Sequence, residues 1–198
     1  MARKSSRSLW TDKLRGVAAN PAGAKANRAR KAAPTMAGRG CRAIILGIDP
    51  SLRGTGLAVV DARAEPMRLL ASVTVKLGPK FAPFECLGRI ADEVERLARA
   101  HGVTHAAIEE TIYVQNFRTA QAMGASRGAA LSVLARLGVK VGEYAPARIK
   151  LAVAGHGSAK KEQVGRMIRA ALGLPAELAL DESDAAAAAL CHAFTARG

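Results

Sequence analysis

Cysteine is nearly absent from this 198-residue chain. Cys41, Cys86 and Cys191 are odd in number and widely spaced. That argues against a disulfide framework and against a zinc cluster, and it suits a reducing compartment. Aromatic residues contribute only 4% of a sequence that is 49% apolar, so the core is expected to be aliphatic, with closely packed Ala-rich helices. No apolar run approaches the ~18 residues of a membrane span, and no secretory h-region follows the basic start. These absences point to a cytoplasmic protein. An organellar transit peptide is the lesser reading of the Arg- and Ser-bearing N-terminus.

Acidic residues are missing from one end only. Residues 1–42 hold 11 Lys/Arg against Asp12 alone, a net of +10, whereas residues 43–198 carry 19 against 15 Asp/Glu, a net of +4. The basicity of the chain, +14 in all, is therefore mostly a property of its first segment. Residues 1–40 show no sustained apolar period beyond a short helical stretch around Leu9–Val17. They read as a disordered basic extension, either an arm that tracks phosphates or a solvated tail. Met36, just ahead of the globular sequence, is an alternative start. Residues 41–198 are long enough for one well-cored domain.

Within that domain, AIILGID reads as a strand, SLRGTG as a turn and LAVVD as a second strand, together a hairpin. A third strand is expected over Arg68–Leu77. Helical periodicity from Phe84 places Phe84, Leu87, Ala91, Val94 and Ala98 on one face, closed by Gly102. HAAIEE is a fourth strand, Phe117–Leu137 a long helix and KVGEYA a fifth strand ended by Pro146. Helices over Ala147–Ala154 and Ala159–Leu172 follow, the second with Ser158 as its N-cap. A last helix runs from Asp181 to Phe194. Gly124 and Gly128, four apart in the long helix, suggest close approach of another helix or simple tolerance. This order gives an α/β fold, a mixed five-stranded sheet flanked by helices.

Asp49, at the end of an apolar strand, is the residue that needs explaining. A carboxylate there is costly unless it is paired, hydrogen-bonded or bound to a metal; the competing reading is an aspartate that caps the SLRG bend. If strands one and four are neighbours, Asp49 meets Glu109. Glu110 points to the other face of its strand. Asp181 and Asp184, three apart at the start of the last helix, can join them, although acids at helix N-termini also occur simply as partners of the helix dipole. Four such carboxylates repel one another unless divalent cations relieve them, and hard oxygen donors suit Mg²⁺ or Mn²⁺. Two such ions in a basic protein point to phosphodiester hydrolysis.

The blocks AIILGIDPSLRGTG, AIEETIYVQN, MGASRGAAL, EYAPARIKLAVAGHGSAKKEQV and DESDAAAAAL resemble, in this order, those of the RuvC-type Holliday junction resolvases. The resemblance spans about residues 43–194. It implies a ribonuclease H-like fold, a homodimer, and Mg²⁺-dependent paired nicks in a four-way DNA junction, with two ions per subunit and Mn²⁺ as a substitute. It assigns catalysis and metal binding to Asp49, Glu109, Asp181 and Asp184. DNA contacts fall on Lys150 and Lys161, with Lys160 adding charge and Arg118 and Arg127 as further backbone contacts. The family's aromatic wedge corresponds to Ile112, with Tyr113 beside it. The resemblance further implies cooperation with a RuvA–RuvB-type branch-migration complex. His156, between glycines, is a candidate phosphate contact. His192 lies roughly 12 Å along its helix from Asp184, too far to join the acids. The rival readings are a non-catalytic junction binder and an RNA–DNA hybrid nuclease on the same fold.

Overall fold

The computed structural model describes residues 40–110 and 116–196. The basic extension through residue 39, and with it the Leu9–Val17 helix, lies outside the described residues, as do Ile112 and Tyr113. The strands are β1 (Ile44–Asp49), β2 (Gly54–Asp61), β3 (Arg68–Lys76), β4 (His105–Glu109) and β5 (Lys140–Tyr144). The helices are α1 (Pro83–His101), α2 (Phe117–Arg136), α3 (Pro146–Ala154), α4 (Lys161–Ala171) and α5 (Leu180–Thr195). The sheet order is β3-β2-β1-β4-β5. The first three strands pair antiparallel, and β4 and β5 extend the sheet in parallel from β1. This is the expected mixed sheet, with strands one and four adjacent.

β1 lies in the middle of the sheet and is buried on both faces, so its side chains are sorted by the two-residue strand period. Leu46 and Ile48 join Leu57, Val59, Ala106 and Ile108 under α1 and α2. Ile45 joins Ala58, Val60 and Ala107 under α3, α4 and α5. Ile45, Leu46 and Ile48 are wholly buried, which contributes about 1.5–3 kcal/mol for each side chain. The same parity puts Gly47, Asp49 and Glu109 on the α5 face.

α5 is buried all round from Ala185 to Ala193, apolar apart from His192, and lies across that face. Its alanines let the backbone sit close. At Gly47 a side-chain carbon would overlap the Ala185 carbonyl, and at Gly56 it would overlap the carbonyl of Asp181. Only glycine permits these contacts.

Two expected details differ. α1 buries the expected Val94 and Ala98, but with Cys86, Ile90 and Leu97 rather than Phe84, Leu87 and Ala91; Leu87 and Ala91 are half-buried and Phe84 is 75% exposed. Both stripes satisfy the helical period; the buried one is the stripe that packs against the sheet. α4 begins two residues later than expected, with Lys160 rather than Ser158 at its N-cap, and the Lys160 N–H donates to Gln163 Oε1 at 2.9 Å. Gly124 and Gly128 meet nothing within 4 Å among the described residues, so no helix of this chain approaches them there.

Candidate active site

The register of β1 and β4 brings the first two acids together. Ile48 pairs with Ile108, and the next residues are Asp49 and Glu109, on strands ~4.8 Å apart and on the same face. The start of α5 supplies the others. Asp181 lies against β2, where a carbon added at Gly54 would stand 3.4 Å from its Oδ2. Asp184, one turn on, reaches a cavity of about 300 Å³ that it shares with Asp49, Glu109, Lys150 and Lys161. Glu182 turns to β3 instead, accepting from Ser72 Oγ at 2.6 Å. Glu110 is exposed and outside the cavity, its N–H donating to the Tyr144 carbonyl at 2.9 Å.

The electrostatics of this cavity are those of an acidic cluster that Lys150 and Lys161 compensate only in part. Burial, reinforced by Asp184, Glu109 and Asp181, pushes the Asp49 carboxyl up to about 7, with Lys161 opposing. Burial and Asp184 also raise Glu109, against Lys150 and Lys161. The ammonium of Lys161 donates to Asp184 Oδ2 at 2.7 Å, and its own pKa is raised by that bond. The acids do not close on one point: among the described residues, no three of the four bring one oxygen each to within 4.8 Å of one another. The donors are carboxylates alone, and their mutual repulsion is relieved by a hard divalent cation, so the residues fit Mg²⁺ or Mn²⁺.

The lysines divide. Lys150 on α3 and Lys161, the first residue of α4, line the cavity, and Lys161 stands where free backbone N–H groups reinforce an anion site. Lys160 is exposed and not part of the cavity wall. Arg118 is exposed in the first turn of α2, which Asn116 caps by accepting from the Arg118 and Thr119 N–H groups. Arg127 does not present its guanidinium as a free phosphate contact. It is 14% exposed, donating through Nη1 to the Glu109 carbonyl at 2.8 Å and pairing through Nη2 with Glu143 at 2.5 Å. It braces the strand end that carries Glu109. Sequence reading missed this role because only the β4–β5 pairing, with Glu143 opposite Ile108 and Tyr144 opposite Glu109, brings both partners within reach of one guanidinium. His156 is exposed, its Nδ1 3.5 Å from Ser158 Oγ.

Comparison with known proteins follows the same residues. The family model for crossover junction endodeoxyribonuclease RuvC matches residues 45–192. A crossover junction endodeoxyribonuclease RuvC of Halorhodospira halophila is 47% identical over 149 residues, covering 75% of this chain and 89% of that protein. The protein of that name from Acinetobacter baylyi is 39% identical over 150 residues, 76% of this chain and 82% of its own length. A solved structure of Thermus thermophilus RuvC in complex with Holliday junction substrate is 36% identical, with a TM-score of 0.74. It covers 78% of this chain and 95% of that one.

Proposed function

The chain belongs to the RuvC family of crossover junction endodeoxyribonucleases, and we propose that it resolves four-way DNA junctions at the cavity lined by Asp49, Glu109 and Asp184, with Asp181 beside it against β2. The observation that carries this assignment is geometric: Asp49 and Glu109, at the ends of adjacent strands, face one cavity with Asp184, Lys150 and Lys161, and burial with three neighbouring acids pushes the Asp49 carboxyl up to about 7. A fold tolerates such repulsion when the charge serves a ligand.

The four acids would hold two Mg²⁺ ions, with Mn²⁺ as a substitute. When bound, the ions supply a nucleophilic water and charge stabilisation at the scissile phosphodiester. The chain's own residues do the rest. Asp49 and Glu109 stand on two adjacent buried strands, so their separation is set by sheet hydrogen bonding and not by a loop. Lys150 and Lys161 face the same cavity and neutralise the incoming phosphate. As the phosphate arrives, Lys161 exchanges Asp184 for a phosphate oxygen, which frees a carboxylate for the cation. Arg127 holds the backbone of Glu109 in register. The products are a 5′-phosphate and a ligatable nick.

Ile112, Tyr113, Lys160 and Arg118 complete the proposed DNA surface. The first two occupy the segment between β4 and α2, directly beyond Glu109, where an inserted side chain would unstack bases at the crossover. A homodimer would set two cavities on opposing strands, and the exposed Gly124/Gly128 face of α2 is the proposed contact. A RuvA–RuvB-type branch-migration complex is the proposed motor, acting on cytoplasmic DNA. Among the described residues, no helix is long and apolar enough to cross a membrane.

The test is cleavage of a mobile four-way junction, with linear duplex and RNA–DNA hybrid as controls, in Mg²⁺ or EDTA, with Asp49→Asn in parallel. Paired symmetric nicks on the junction alone, lost in EDTA and in the variant, are the expected result. Tight junction binding without cleavage under any metal would reduce the protein to an architectural binder.

A further inference from the structure

A second cluster of ligating side chains lies at the other end of the central strands β1 and β4, away from Asp49 and Glu109. We propose that Cys41, His105 and His192 form a structural Zn²⁺ site. One ligating atom from each residue lies within 4.8 Å of the other two. Cys41 immediately precedes the β1 region, His105 is the first residue of β4, and His192 stands in the last turn of α5. Cys41 is 3% exposed and His192 is 5% exposed.

The hydrogen bonding around the two imidazoles is what points to a ligand. Tyr144 Oη lies 2.9 Å from His192 Nδ1, and Thr104 Oγ1 lies 3.1 Å from His105 Nδ1. With each Nδ1 engaged by a hydroxyl, Nε2 is the nitrogen left to each ring. His192 Nε2 is buried and has no hydrogen-bond partner among the described residues. A buried, unpartnered nitrogen is rare in a native fold and calls for an ion or water. Metal-binding histidines show this same arrangement, with the second ring nitrogen fixed by an outer partner.

The donor set selects the metal. One thiolate and two imidazoles suit Zn²⁺ and disfavour Mg²⁺, so the site does not duplicate the acidic one. Ligand atoms around tetrahedral Zn²⁺ sit about 3.5 Å apart, given bonds of about 2.0–2.3 Å. Small side-chain rotations therefore close the triangle. The fourth position falls to water, and Cys41 itself borders a cavity of about 290 Å³. The packing brings the ligands together without help from the metal, because a carbon on Gly40 would overlap the Ala193 carbonyl. The bound ion would tie three chain segments together, among them the end of α5 remote from Asp181 and Asp184.

The experiment uses full-length, untagged, metal-stripped protein carrying Asp49→Asn and Asp184→Asn, which removes the acidic site from the measurement. Titration with Co²⁺ is expected to give one equivalent of a thiolate-to-cobalt charge-transfer band, displaced by Zn²⁺. Cys41→Ser should abolish the band, Tyr144→Phe should weaken Co²⁺ binding about 10–100-fold, and Cys86→Ser should leave it unchanged. One equivalent of Zn²⁺ should also raise the melting temperature, and Cys41→Ser should remove that rise. The absence of a thiolate band in the folded parent, or a band that survives Cys41→Ser, overturns the proposal. The parent titration decides the matter alone if a ligand variant does not fold.

Discussion

The ammonium of Lys161 lies 2.7 Å from Oδ2 of Asp184, so a cation of the protein itself already sits among the acids. A divalent ion entering the cluster competes with it. The lysine side chain is 61% exposed, and a pair so exposed contributes at most ~1 kcal/mol. Lys161→Met is therefore expected to tighten Mg²⁺ binding to DNA-free protein by about two- to fivefold, measured by calorimetric titration. Junction cleavage should slow in the same variant, because the phosphate loses its partner. Unchanged Mg²⁺ affinity would show that Lys161 and the metal do not share the site.

Arg127 offers a test that separates positioning from DNA contact. Its removal leaves the Glu109 carbonyl without its donor, at a cost of about 1–3 kcal/mol. Arg127→Met is expected to slow single-turnover cleavage about tenfold, while junction affinity in a gel-shift titration stays within about twofold. Lys150→Met should do the reverse and weaken binding. Equal losses of affinity in the two variants would return Arg127 to the DNA surface.

Asp49→Asn should stabilise the metal-free protein while abolishing cleavage. The folded-state value of about 7 lies above the ordinary 3.8, so the fold favours the protonated carboxyl. The penalty is absent below pH 3.8, grows as pH rises and is complete above about 7, where it amounts to at most about 4 kcal/mol. Thermal melts at pH 8 in EDTA should show the variant higher by up to roughly 10 °C, with the gap closing towards pH 4. A variant that melts at or below wild type at pH 8 would contradict the charged-cluster account.

His192 has the opposite consequence. Burial, with His105 beside it, lowers its pKa from 6.5 to about 4, so the fold keeps the ring neutral. Stability is retained above 6.5 and falls as acid protonates the unfolded chain, by about 2 kcal/mol at pH 5. Urea unfolding of metal-free wild type and His192→Gln at pH 7.5 and 5.0 isolates this contribution, because the carboxylates titrate alike in both. The variant should lose about 2 kcal/mol less on acidification. Equal losses would show that His192 is not held neutral.

Asp49 and Glu109 were legible because each ends an apolar strand, and parity with strand adjacency suffices to join them. Asp181 and Asp184 break no local rule, since acids commonly open helices, and it was the family resemblance that singled them out. The buried face of α1 was not legible, since Phe84/Leu87 and Cys86/Ile90 are equally periodic and only contact with the sheet decides between them. Arg127 read as a surface charge because its partners, Glu109 and Glu143, lie on β4 and β5 and meet only across their pairing. Cys41, His105 and His192 carry no spacing signal at all. Three widely separated cysteines argued against zinc, whereas the fold sets one of them beside two histidines from distant segments.

The contacts of Gly47 and Gly56 with the α5 backbone mean that the two acid-bearing layers are gauged main chain to main chain, with no side chain serving as a spacer. Side-chain spacers can adopt new rotamers, and a helix resting on them can slide. Here the gap behaves like a fixed caliper, its jaws being the sheet and the carbonyls of Asp181 and Ala185. A single methyl group at Gly47, about 6.6 Å along its strand from Asp49 and chemically inert, would open those jaws and detune the catalytic distances without touching any reacting group.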